Sequence, residues 1–210
     1  MDFFGLSKTR QLNLVVSSYR NRADREPAVK DLLAQHWYYK TNNGDVDVLA
    51  GTRGHLTDLE TARSAALSVY GLRAFSLDID VVGDEAVSDT QGTIVALGST
   101  TSNYVSRRIL RSLPGDHPVK FTVDTLECWL DPAVYRPNAT TDYGVLVRYR
   151  FGDGVGFVCA GIDEAGTVAV ARYLFRKWSD LPKKKYFVGI FKCDRRSMSV
   201  IEDLSVKTFT

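Results

Sequence analysis

Two acidic residues side by side, Asp163 and Glu164, follow an apolar run that ends in Gly161 and precede Gly166-Thr167. A carboxylate at the end of a strand can orient a ribose or serve as a general base. The same charges would also complement the dipole of a helix starting there, and that reading is the favoured one. A third acid, Glu60, is of the type that cleaves N-glycosidic bonds when buried. With Thr57 three residues earlier it also has the form of a capping box, which accounts for it at lower cost. Asp163, Glu164 and Glu60 are the carboxylates available for hydrolysis or transfer at the N-glycosidic bond of a nucleotide, nucleoside or NAD.

A second set of residues has the chemistry of binding. Gly98 is followed by Ser99, Thr100, Thr101, Ser102 and Asn103, while Ser17-Ser18 follows another short apolar run. Small side chains let a ligand approach the backbone closely, and hydroxyls beside helix N-terminal amides favour an anion. Arg20 adds a guanidinium that could reach a phosphate. Ser102 and Asn103 suit a phosphate or ribose, and equally suit helix capping. Gly161, Gly166 and Thr167 have the glycine spacing of a phosphate loop without its lysine. Neither GxGxxG nor GxxxxGK[ST] occurs, so the dinucleotide fingerprint and triphosphate hydrolysis are not expected. A nucleotide, an NAD-like dinucleotide or a sugar phosphate remains the natural small phosphorylated ligand. The three histidines (His36, His55, His117) lack paired-ligand spacing, so no metal is expected.

These turns need elements to hold them. Ile94-Val95-Ala96-Leu97 is short and apolar enough for a strand buried on both faces. Val105, Ile109 and Leu113 then recur at helical spacing. Leu12–Val16, Val46–Ala50 and Phe75–Val82 read as further strands, with helices expected from Pro27 to about Trp37 and from Thr57 to Tyr70. Phe121–Val123 reads as a short strand, and Thr125 to Thr141, with Pro132 and Pro137, as a loop excursion. Asp153-Gly154 between Tyr143–Tyr149 and Val155–Ala160 is a hairpin signal. A helix is predicted over Thr167–Trp178, followed by strands at Tyr186–Phe191 and Ser199–Phe209.

The expectation is one α/β domain over residues 1–210, a three-layer Rossmann-like fold. It has a mostly parallel central sheet and an antiparallel, β-rich C-terminal extension from about residue 183. The arrangement looks like Rossmann-like domains that sense or process nucleotides, a likeness of architecture that includes no diagnostic motif. If the strands share one parallel sheet, right-handed crossovers bring the turns after Val16, Leu97 and Gly161 to one edge. A ligand-binding sensor or regulatory module is the first functional reading. The enzyme above is the second, and a protein-interaction module using the C-terminal strands is the third.

Composition limits the partners. The 210 residues carry a formal net charge of +2 with 44% hydrophobic residues, so no global field recruits nucleic acid or an anionic membrane. Lys183-Lys184-Lys185 near Tyr186 is a local cluster, and lysines commonly protect edge strands, so nucleic acid is not expected. No apolar run reaches the roughly 20 residues a membrane span needs. Three widely spaced cysteines suggest a reducing, cytoplasmic location. A homo-oligomer or a protein partner stays open.

Overall fold

A computed structural model of the chain describes residues 11–16, 78–83, 93–100, 103–113, 119–122, 124–128, 131–151 and 154–209. The elements are β1 (Gln11–Val16), β2 (Asp78–Gly83), β3 (Thr93–Leu97), α1 (Tyr104–Arg111), β4 (Val119–Phe121), β5 (Leu126–Cys128) and β6 (Asp131–Tyr135). They continue with β7 (Thr141–Phe151), β8 (Gly154–Gly161), α2 (Glu164–Lys177), β9 (Tyr186–Asp194) and β10 (Ser199–Phe209). The helices expected at residues 27–37 and 57–70, and the strand at 46–50, lie outside the described residues.

Seven strands form one sheet in the order β10-β9-β7-β8-β3-β1-β2, and β4-β5-β6 form a second, antiparallel sheet. Neighbours are parallel from β2 through β1 and β3 to β8. They are antiparallel from β8 through β7 and β9 to β10. This corrects the expected three-layer Rossmann-like domain with a mostly parallel sheet: the described residues are mostly strand, with two helices, and the principal sheet is mixed. The physical reason lies in β7. A strand separated from β8 by only two residues must run against it, and β7 then occupies the place beside β8 that a parallel neighbour would take. The crossover β8–α2–β9 therefore passes over β7, which pairs with both flanking strands along most of its length.

Alternation divides the core between the two faces of the sheet. On one face Val95, Leu97, Leu146, Phe157 and Phe191 pack with Ala169, Val170 and Leu174 of α2. On the other, Ile94, Ala96, Val145, Val158 and Ile190 pack with Val105, Ile109 and Leu110 of α1, and with Val119, Phe121 and Leu126 of the small sheet. All five residues of β3 and all eight of β8 are buried, as a strand covered on both sides demands. The loop expected at 125–141 instead supplies β5 and β6. Pro132 is tolerated there because β6 is the outer strand of its sheet, where no partner needs its missing N–H.

The outer strand β10 is interrupted twice, between Val200 and Glu202 and between Asp203 and Ser205. Glu202 pairs with Lys192 at 3.6 Å, and Asp203 accepts a hydrogen bond from the Tyr173 hydroxyl at 2.9 Å. Irregular spacing and charge both disfavour strand pairing along this edge.

Candidate functional site

The C-terminal ends of β1, β3 and β8 lie at one edge of the sheet because the three strands are parallel neighbours. The loops that follow β3 and β8 are joined at their base, where the Gly98 N–H donates to the Cys159 carbonyl at 2.9 Å. From there they diverge: β3 leads to α1 on one face and β8 to α2 on the other. A pair of parallel strands whose connections leave on opposite faces opens a crevice beyond the strand ends.

On the β3 side, Gly98 adopts φ 108°, a left-handed conformation that only glycine takes without strain. This lets the chain turn sharply away from the sheet. Asn103 then closes the turn. Its Oδ1 accepts from the N–H groups of Val105 and Ser106 at 3.0 and 3.1 Å, and its Nδ2 donates to the Leu97 carbonyl at 2.9 Å. Ser106 Oγ donates to the Gly98 carbonyl at 2.7 Å, and Arg107 Nε to that of Thr100 at 3.0 Å. Asn103 is fully buried and acts as the cap of α1, one of its two sequence readings. Ser99 and Thr100 stay half-exposed on the rim, with Arg107 beside them.

The β8 side is closed by a residue that pattern reasoning missed. The carboxylate of Asp142, at the start of β7 and fully buried, accepts from Gly166 N–H at 2.6 Å, Tyr143 N–H at 2.7 Å and Asp163 N–H at 3.2 Å. It thus fills the N-terminus of α2, where an external anion would otherwise sit. Burial raises its pKa above the ordinary 3.8; the backbone bonds pull it back, and the nearby charge of Asp163 adds to the rise. Asp163 takes the backbone position of a cap without using its side chain, which instead meets Arg195 at 2.7 Å, each about a third exposed. Arg195 also donates to the Asn138 carbonyl at 3.0 Å, tying the β9–β10 turn to this corner.

Gly161 and Gly166 lie close against one another. A side chain at Gly166 would meet Asp142 Oδ2 and the Tyr143 carbonyl at 2.7 Å, and one at Gly161 would meet the Asp163 carbonyl at 2.5 Å. Gly161 N–H donates to Thr167 Oγ1 at 2.8 Å. The P-loop-like spacing therefore serves close helix-to-strand packing. Glu164 is exposed in the first turn of α2, where its charge suits the helix dipole.

The structure thus brings Gly98, Ser99, Thr100 and Asn103 to the same edge as Gly161, Asp163, Glu164, Gly166 and Thr167. Ser17, Ser18, Arg20, Glu60, Thr101 and Ser102 lie outside the described residues, although β1 ends at this edge in register with β3. Among the described residues no helix is long and apolar enough to cross a membrane. No family model, curated protein or solved structure matches the chain.

Proposed function

We propose that this protein is a ligand-binding module, a sensor or regulator rather than a catalyst, whose crevice beyond β3 and β8 takes a nucleotide or nucleotide sugar. One observation carries the reading: β3 and β8 are parallel neighbours whose helices leave on opposite faces, the arrangement in which ligands bind beyond the strand ends, here between Gly98–Thr100 and Ile162–Asp163. Arg107, held against the Thr100 carbonyl, supplies a cation for phosphate on the β3 side. The Asp163 carboxylate, oriented by Arg195, faces the same edge and suits ribose or sugar hydroxyls. Its engagement with Arg195, and that of Asp142 with three amides, favour recognition over proton transfer.

Thermal stability measured with a panel of nucleotides and nucleotide sugars tests the proposal. A phosphorylated ligand should raise the melting temperature, and Arg107→Gln should reduce that rise, measured against the melting temperature of the ligand-free variant. A panel that stabilises nothing, or stabilisation indifferent to Arg107→Gln and Asp163→Asn, would overturn it. Turnover of NAD or a nucleoside that disappears in Glu164→Gln would put an enzyme in its place.

A further inference from the structure

At the opposite edge of the sheet, β7 ends, α2 ends and β9 begins, and among the described residues a run of positive charge lies there. Arg176, Lys177, Lys183, Lys184 and Lys185 face only Asp180 within residues 176–186, a net +4 in a chain whose formal net charge is +2. The rest of the sequence is therefore net negative. All five cations are exposed. Edge protection does not explain the three lysines, because the strand they precede, β9, is paired on both sides.

The backbone beneath them is held from inside the protein. Arg148, buried on β7 between β9 and β8, donates from its guanidinium to the carbonyls of both Lys184 and Lys185. Burial and the neighbouring Arg150 lower its pKa to about 10, which still leaves it charged at neutral pH. Beside the lysines, Tyr149 and Tyr186 stand across adjacent strands with ring centroids 5.1 Å apart and planes tilted by 37°. Both are half-exposed, and Lys185 Nζ lies 5.0 Å from the Tyr186 ring centre. Lys207 on β10 is exposed in register with Val188, two residues along from Tyr186 on the same face.

We propose that this edge binds single-stranded nucleic acid. The exposed ammonium groups, carried on a backbone that Arg148 holds, would take successive phosphates, and the tyrosine pair would offer rings on which unstacked bases can lie. A duplex keeps its bases stacked and would use the lysines alone, so the rings select the single strand. This surface is separate from the crevice beyond β3 and β8 and does not depend on it.

The test is fluorescence anisotropy of the full chain with a labelled oligothymidylate of about 20 nucleotides, against a duplex of equal length, between 50 and 200 mM salt. The single strand should bind more tightly. Replacing Lys183, Lys184 and Lys185 together by Gln should weaken binding at least tenfold and flatten the slope of log K against log salt by about 2, since each phosphate contact contributes roughly 0.7. Tyr186→Ala should weaken single-strand binding, and Tyr186→Phe should retain it. The proposal is overturned if the triple variant binds as the parent does. It is likewise overturned if duplex binds equally well with Tyr186→Ala silent, if vesicles rich in phosphatidylserine are preferred, or if nothing binds at 50 mM salt.

Discussion

Replacing Asp142 by Asn is the sharpest probe of how α2 is seated. The carboxylate presents two acceptor oxygens to the N–H groups of Gly166 and Tyr143, at 2.6 and 2.7 Å, and shares both oxygens with Asp163 N–H. An amide has one acceptor, so its NH2 must face Gly166 or Tyr143, donor against donor. Leaving one buried donor unsatisfied costs about 1–3 kcal/mol. Losing the negative charge at the helix N-terminus costs about 0.3–1 kcal/mol more. Relief of the buried charge offsets part of this, since burial is the main influence on this group and disfavours ionisation. A net loss of about 2 kcal/mol is expected at neutral pH, a fall of about 4–8 °C in melting temperature for a chain of this size. Urea titration and thermal melting followed by circular dichroism would measure it.

The pH dependence has a definite sign. The native pKa of Asp142 is raised above 3.8, so the folded protein holds that proton to higher pH than the unfolded chain. Its contribution to stability is full below the unfolded value and is lost as pH rises through the native one. The parent should therefore exceed Asp142→Asn in stability by more at pH 4 than at pH 7. Emptying the helix N-terminus should also let inorganic phosphate stabilise Asp142→Ala where it does not stabilise the parent in the same way. An Asp142→Asn variant as stable as the parent at both pH values would refute the seating of α2 described above.

Gly166→Ala should destabilise the protein by about 2 kcal/mol even though alanine is the better helix former, because the new methyl meets backbone at Tyr143 and Gly161 that has no rotamer to change; chemical denaturation would read this, and a gain in stability would contradict it. Cys128, Cys159 and Cys193 are all buried, with the Cys159 thiol pushed well above its ordinary pKa and Cys193 up to about 12 by burial first and the charge of Asp142 second. Native protein should therefore resist iodoacetamide, with labelling followed by mass appearing only as urea unfolds it.

How much of this was legible in the sequence depended on how local each cause was. The apolar run Ile94–Leu97 reads as a strand covered on both sides, and β3 is one. Asp153-Gly154 reads as a hairpin, and β7 and β8 pair antiparallel across it. That signal already conflicted with a mostly parallel sheet, but it cannot say that β7 would also pair with β9. The start of α2 was expected at Thr167 and lies at Glu164, because its first turn is held by a carboxylate 24 residues earlier in the chain. In sequence Asp142 resembles any acidic residue before a strand. Asn103 was legible as a cap because its partners are two and three residues away. That the turns after β3 and β8 share one edge follows from strand direction alone, whereas the closing of the α2 terminus required packing that no period reveals.

The burial of β3 bears on how the molecule is made. Its five side chains are almost wholly covered, and the neighbour that shields one flank, β8, begins 57 residues after β3 ends. On the ribosome, Thr93–Leu97 must wait for Gly154–Gly161 with its hydrogen-bonding margin open, a hazard for a nascent apolar segment. Chains released before residue 154 should accumulate as insoluble material, while chains extending through α2 should not.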